Sequence, residues 1–195
     1  LNTRAGGATV ASDSGLLTLT ETGTVGEANL REGQTPTGPN GTYGQFLGRA
    51  AVGLDPSFFV YPAFWTPPPA LPSDPPPVAR QALFAREFGV DDEVAVNGGV
   101  DEVPTILKTS LNQPIDATVQ SLMGEAVDVS GFAVFRATVG PVTGGAAIPK
   151  ANNEGIWRES SPAVNELLIQ KGDSVLGADS GIVVSRILQW WSVDI

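Results

Sequence analysis

AVDVSGFAVFRATV, residues 126–139, alternates apolar and other side chains with a period of two. This period is typical of a β-strand, whose successive side chains point to opposite faces of a sheet. Gly131 interrupts the run and predicts a bulge or bend inside the strand. One face is predicted to carry Val127, Val129, Ala133, Phe135, Ala137 and Val139, and the other Asp128, Ser130, Phe132, Val134, Arg136 and Thr138.

Shorter runs of the same kind lie on both sides of this stretch, at residues 8–12, 16–21, 58–61, 117–122, 164–170 and 182–193. Turn-forming clusters such as Lys171-Gly172-Asp173 and Asp179-Ser180-Gly181 separate them. The pattern predicts an all-β fold, an antiparallel β-sandwich that is jelly-roll-like. Only residues 78–88 have helical spacing, with Gly89 as a possible cap, so we expect at most one short helix.

Residues 1–195 are predicted to form a single β domain. Within it, residues 1–65 are a possible N-terminal sub-region, residues 58–77 a Pro-rich arm or loop, and residues 94–195 the core of the sandwich. The arm has seven prolines between Trp65 and Pro77. Because proline lacks an N–H donor, the arm is expected to run as extended polyproline II outside the central sheet. It packs either on its own domain or on a neighbouring subunit.

Composition excludes several classes of function. The chain has 11 basic and 21 acidic residues and a net charge of −10, which disfavours nucleic acid and anionic membranes as partners. The chain contains no cysteine and no histidine, so thiol chemistry, imidazole chemistry and zinc-thiolate sites are impossible. No apolar run reaches the roughly 20 residues of a membrane span, so we expect a soluble protein.

Acidic residues cluster around residues 94–100. Asp91, Asp92, Asp101 and Glu102 flank a run that contains Asn97-Gly98-Gly99. A hairpin turn there would bring carboxylates from two strands together, and carboxylate oxygens are the ligands that Ca²⁺ prefers. The other interpretation is two solvated hairpin ends, and it is preferred because the spacing does not match a calcium-binding loop. We therefore predict no bound metal, no cofactor and no catalytic residues.

Aromatic residues and prolines are the predicted interface. Trp190 and Trp191 are adjacent in a predicted strand, so they point to opposite faces. Either both faces are covered within the chain, or one Trp contacts a partner. The full predicted interface is Phe58, Phe59, Tyr61, Phe64, Trp65, Pro67, Pro68, Pro69, Trp190 and Trp191.

Two segments of the C-terminal half carry a resemblance. FAVFRATVGPVTGGAAIP (residues 132–149) resembles a strand and Thr-Gly-Gly turn of structural proteins from tailed bacteriophages, and LLIQKGDSV (residues 167–175) is similar to the strand, turn and strand of many jelly rolls. The resemblance covers residues 115–195. It implies a capsid decoration or cement protein, or another head or tail component, located in the virion.

Three functions follow as hypotheses. The first is a non-enzymatic virion structural protein that binds and stabilises a capsid or related lattice as a homo-oligomer, with a trimer expected. The second is a carbohydrate-binding adhesin or receptor-binding module in which Trp65, Trp157 or Trp190 stacks on sugar rings. The third is a glycoside hydrolase that uses two carboxylates, although the sequence favours no pair among its acids.

Overall fold

A computed structural model describes residues 14–19, 25–47, 50–53, 58–69, 71–72, 74–75, 77–98, 106–108, 115–142, 144–161, 164–175, 177 and 179–188. These residues form strands and no helix. The strands are β1 (Gly15–Leu19), β2 (Val25–Arg31), β3 (Thr42–Phe46), β4 (Ala51–Val52), β5 (Phe58–Thr66), β6 (Arg80–Glu87), β7 (Val90–Val96), β8 (Ile106–Lys108), β9 (Ala117–Val127), β10 (Ala133–Pro141), β11 (Glu154–Ser161) and β12 (Val164–Gln170).

The strands form two five-stranded sheets and a separate hairpin. In the first sheet β3 and β4 both pair with β5, which is followed by β6 and β7, all antiparallel. The second sheet has the order β8-β12-β11-β10-β9 and is antiparallel except for the β8–β12 pair. The prediction of an all-β antiparallel sandwich is confirmed. Most consecutive strands are neighbours in one sheet, as in a meander, rather than crossing between sheets as in a jelly roll.

The first sheet is the middle layer of the fold. One of its faces packs against the second sheet, and the other packs against the β1–β2 hairpin through Leu16 and Leu30. The core between the sheets includes Val60, Leu83, Val94, Ala95, Val119, Leu122, Phe135, Ala137 and Trp157, and the core under the hairpin includes Tyr43, Phe59, Tyr61, Ala63, Trp65, Phe84 and Val96. A strand buried on both faces is apolar throughout. This arrangement explains the run FFVYPAFWT of β5.

Strand β5 corrects the prediction for residues 58–77. Residues 58–66 are not an arm outside the central sheet but a central strand, paired with β6 from Phe58 to Trp65. Pro62 is tolerated there because the neighbouring edge is interrupted between β3 and β4. The carbonyl of Pro62 accepts from the backbone N of Leu47 at 2.9 Å, so the missing N–H faces this interruption.

The prolines after β5 do not form one continuous polyproline II segment. Asp74 donates its backbone N–H to the carbonyl of Leu71 at 3.0 Å, and its carboxylate accepts from the N–H of Leu71 at 3.0 Å. These two bonds define a turn in the middle of the segment. Pro68 and Pro69 before the turn are exposed, whereas Pro67 is buried.

Two other predictions of local structure are wrong. Residues 80–87 of the predicted helix form strand β6, because Leu83 and Ala85 face one core while Ala82 and Phe84 face the other. Gly89 lies in the β6–β7 hairpin turn and does not cap a helix. The run at residues 126–139 is two strands rather than one bulged strand, and Gly131, at φ +83°, belongs to the turn between β9 and β10. Val129 therefore lies exposed in this turn and not on the buried face.

Candidate functional site

The acidic cluster that was considered as a metal site is divided between the two faces of β7. Asp91 points toward the hairpin side and is fully buried. Arg86 donates one Nη1 nitrogen to both carboxylate oxygens of Asp91 at 2.8 Å each. The hydroxyl of Tyr61 donates to Oδ1 at 2.7 Å, and the backbone N of Thr37 donates to Oδ2 at 2.8 Å. Both oxygens are thus used inside the protein, which makes Asp91 a structural residue.

Two tyrosine hydroxyls extend this network into the core. The hydroxyl oxygens of Tyr43 and Tyr61 are 2.5 Å apart. Burial raises the pKa of Tyr61 above its ordinary value, with further contributions from Tyr43 and Asp91. Burial likewise raises the pKa of Tyr43. Both phenols stay protonated, so Tyr43 donates to Tyr61 and Tyr61 donates to Asp91.

Asp92 has the opposite orientation because successive side chains of a strand alternate. It is exposed and lines a cleft between the two sheets. Asp101 and Glu102, the other candidate ligands, lie outside the described residues. In the part of the chain that the structure describes, no three acidic side chains lie close enough together to hold a metal ion.

The cleft has a volume of about 530 Å³ and opens at one end of the sandwich. It lies between β6 and β7 of the first sheet, the β9–β10 turn, and the end of β11 in the second sheet. Three carboxylates from three different strands line it: Glu87, Asp92 and Glu159. Its apolar lining includes Phe58, Ala85, Val129 and Phe132.

Glu159 is the most buried of these carboxylates. Its side chain lies on the same face of β11 as that of Trp157 and is 7% exposed. Burial raises the pKa of Glu159 from 4.5 to about 7, a hydrogen bond from the backbone of Ala133 lowers it, and the charge of Asp92 raises it further. The cleft therefore contains a desolvated carboxyl group beside a solvated one.

The nearest arginine to the β9–β10 turn is already engaged. The guanidinium of Arg158 lies 4.5 Å from the centre of the Phe132 ring, and its Nε donates to Asp128 at 2.5 Å. Among the described residues that line the cleft there is neither Lys nor Arg. Glu87 and Glu159 were not predicted as site residues from the sequence. The alternation of side chains in β11 could have indicated Glu159, because it places this residue on the same face as Trp157, two positions earlier.

The predicted interface aromatics are found mainly inside the protein. Phe59, Tyr61 and Trp65 are buried in the core under the hairpin. Phe58 is half-buried and lines the cleft, whereas Phe64 is partly exposed. The core under the hairpin covers Phe59, Tyr61 and Trp65, so these three side chains do not need a partner to cover them. Trp190 and Trp191 lie outside the described residues.

The exposed prolines line a shallow second cavity of about 680 Å³. Pro68 and Pro69 face it together with Pro72 and Pro77 from beyond the turn. Its opposite wall comes from the segment before β3, including Thr35 and Asn40. The nearby indole Nε1 of Trp65 donates to the carbonyl of Asn40 at 3.1 Å. The proline segment thus packs beside its own chain on one side and stays exposed on the other.

Trp65 and Trp157 do not offer a surface for stacking on a sugar. Trp157 is 1% exposed and Trp65 is 6% exposed. Stacking on a sugar requires an accessible ring face. The carbohydrate hypothesis is therefore wrong for these two residues, while Trp190 lies outside the described part of the chain.

Exposed apolar side chains concentrate in the C-terminal ribbon, which we define as the described residues of 168–188. Its two arms are joined by the bridge between Ser174 and Val183 and by backbone hydrogen bonds from Val175 to Ile182 and from Gly172 to Val184. Lys171-Gly172-Asp173 forms a turn, as predicted, with Asp173 donating to the carbonyl of Gln170 at 3.0 Å. The exposed apolar residues of the ribbon are Leu168, Ile169, Val175, Ile182, Val183 and Leu188.

Comparisons with known proteins found no matching family model, no matching curated protein and no matching solved structure. Within the described residues, no helix is long and apolar enough to cross a bilayer.

Proposed function

We propose that this protein is a non-enzymatic structural component of a tailed-phage particle, which binds a capsid or related lattice and stabilises it as a homo-oligomer. The proposal combines the sequence resemblance of residues 115–195 with the surface of the fold. The observation that carries it is the C-terminal ribbon, which lies within the resembling region.

The ribbon supports an assembly function because it exposes apolar side chains that the described part of the chain leaves uncovered. Leu168 is 51% exposed and Leu188 is 73% exposed. Six exposed apolar side chains within one short stretch favour a contact with another molecule. Ile187 is buried, so the returning arm is attached to the body of the protein. An attached, apolar ribbon suits repeated contacts between copies in a closed ring, for which we expect a trimer.

The oligomeric part of the proposal is tested by size-exclusion chromatography with light scattering. We expect the wild-type protein to have about three times the chain mass of 20.2 kDa. The double variant Ile182→Ser/Leu188→Ser is expected to dissociate, because both side chains contribute apolar area only when a neighbour covers them. The matched control is Val52→Ser/Val78→Ser, which changes exposed valines outside the ribbon.

The particle part is tested on phage particles purified from the strain that encodes the chain. Mass spectrometry is expected to find this protein in stoichiometric amounts with the capsid or tail proteins. A strict monomer that is missing from purified particles would overturn the proposal. An oligomer that the ribbon variant leaves intact would show that the contact lies elsewhere.

A further inference from the structure

We propose that the acidic cleft between the two sheets binds a Lys or Arg side chain that an extended, otherwise apolar segment of a partner protein inserts. This inference concerns a surface separate from the C-terminal ribbon, and it does not depend on the proposed particle function.

The shape of the cleft fits one long side chain with apolar neighbours. Its volume of about 530 Å³ exceeds that of any single side chain, so part of the adjoining backbone fits as well. Phe58, Ala85 and Phe132 supply apolar walls. Long cationic side chains bury their methylene stems on apolar surface while the charged head reaches a polar group.

The negative charge of the three carboxylates in the cleft indicates that the head group of the bound side chain is a cation. Glu87 and Asp92 come from the β6–β7 hairpin and Glu159 from β11, so the fold brings Glu159 to two carboxylates that lie at least 67 positions earlier in the sequence. Glu159 is more than nine-tenths buried; its carboxylate accepts a hydrogen bond from the backbone of Ala133 but forms no ion pair with a Lys or Arg of the described residues. A buried carboxylate without a cationic partner is costly, and a cation supplied from outside offsets that cost.

Exposed apolar side chains next in sequence to lining residues lie beside the charged groups. Glu87 is followed by Phe88 at the tip of the β6–β7 hairpin, and Phe88 is 76% exposed. Phe88 has φ +47°, a left-handed conformation that costs a bulky residue energy and that Asn or Gly adopts more easily. Residues held in such strained conformations cluster at functional sites. Val129, also exposed, lines the cleft, and the exposed Val52 precedes the lining residue Gly53.

The probe for this site is the peptide Ac-Ala-Val-Arg-Val-Ala-NH₂. Its control has citrulline in place of Arg, which keeps the shape and removes the charge. Binding is followed by ¹H–¹⁵N NMR at low salt, using the backbone signals of Gly53, Gly131 and Ser161 in the cleft. We expect saturable shifts of these signals with the Arg peptide, affinity at least tenfold weaker with the citrulline peptide, and weaker binding at high salt.

Variants of the cleft separate binding from folding. Asp92→Asn changes an exposed carboxylate, so the fold is expected to persist while affinity for the Arg peptide falls at least fivefold. Glu159→Gln is expected to weaken binding further. Asp116→Asn, an exposed acid outside the cleft, is the control and should bind normally.

Three outcomes would overturn the inference: no saturable shift at millimolar peptide, equal affinity for the citrulline peptide, or unchanged affinity in both cleft variants. A monomer that still binds the Arg peptide would contradict the proposed oligomer and leave this inference intact.

Discussion

At Asp91 a single carboxylate joins three separate parts of the chain. It receives hydrogen bonds from Arg86 of β6, Tyr61 of β5 and the backbone of Thr37 before β3. Close approach is needed at this point, because a Cβ added to Gly38 would lie 2.3 Å from the carbonyl oxygen of Asp91. Gly38 also has a φ of +137°, which only glycine adopts without strain.

Asp91→Asn tests the value of this network. The substitution removes the negative charge and leaves the guanidinium of Arg86 partly buried without its partner. Breaking a buried ion pair from one side costs about 3–5 kcal/mol, and we expect a loss of this size in the free energy of unfolding. Urea denaturation measures it. The matched control is Asp92→Asn on the next, exposed position, with an expected change of about 0.5 kcal/mol or less. Equal losses in the two variants would show that the network contributes nothing to stability.

At the scale of elements, the sequence predicted strands of the second sheet in which apolar and other side chains alternate. Strand β12 was found at residues 164–170, and in β10 the alternation of Phe135, Arg136, Ala137 and Thr138 matches burial in the structure. In the middle layer the run at residues 58–61 predicted only the start of β5, since both faces of these strands are buried and the period of two disappears. The β5 run was interpreted as an arm and β6 as a helix for this reason.

The cleft was not predictable for a related reason. Glu87, Asp92 and Glu159 are up to 72 positions apart in the sequence, and their proximity depends on how the two sheets stack. Local patterns specify the face of a strand but not the sheet that lies opposite. The Asp91 network depends equally on the pairing of β5, β6 and β7.

The edge of β9 is stabilised by a side chain that makes two hydrogen bonds to its backbone, as a neighbouring strand would. The amide of Gln81 donates to the carbonyl of Leu122 at 3.0 Å and accepts from its N–H at 3.2 Å. Gln81→Met keeps the length of the side chain but leaves both backbone groups unpaired, at a cost of about 1–3 kcal/mol. Hydrogen exchange at the N–H of Leu122 should accelerate, and the free energy of unfolding should fall by this amount.

The control for Gln81→Met is Gln120→Met, on strand β9 two residues before Leu122. Gln120 is exposed, and its amide donates to the hydroxyl of Thr118 at 3.1 Å. We expect no change in the exchange rate at Leu122. If Gln81→Met also leaves that rate unchanged, the edge of β9 is protected by something other than the Gln81 amide.

At the scale of the whole molecule, the packing of three layers buries the side chains of several glutamates. Burial raises the pKa of Glu93, Glu125 and Glu159 from 4.5 to about 7 in each case. The charge of Arg80 lowers the pKa of Glu93, but burial prevails, and Oε1 of Glu93 has no hydrogen-bond partner. Burial makes the ionised form of Glu159 unfavourable, and a cation in the cleft would offset this cost.

These raised pKa values predict that the protein is more stable at pH 5 than at pH 8. Between pH 4.5 and about 7 the folded state binds more protons than the unfolded state, so the free energy of unfolding falls as the pH rises through this window. For Glu159 alone a shift from 4.5 to about 7 corresponds to about 3 kcal/mol. Glu159→Gln should therefore stabilise the protein at pH 8 by up to this amount and leave it almost unchanged at pH 5. Thermal and urea unfolding at the two pH values measure both effects, with the exposed Glu87→Gln as the control. A wild-type protein that is equally stable at pH 5 and pH 8, or a Glu159→Gln variant with an unchanged pH dependence, would show that these carboxyl groups ionise without cost in the fold.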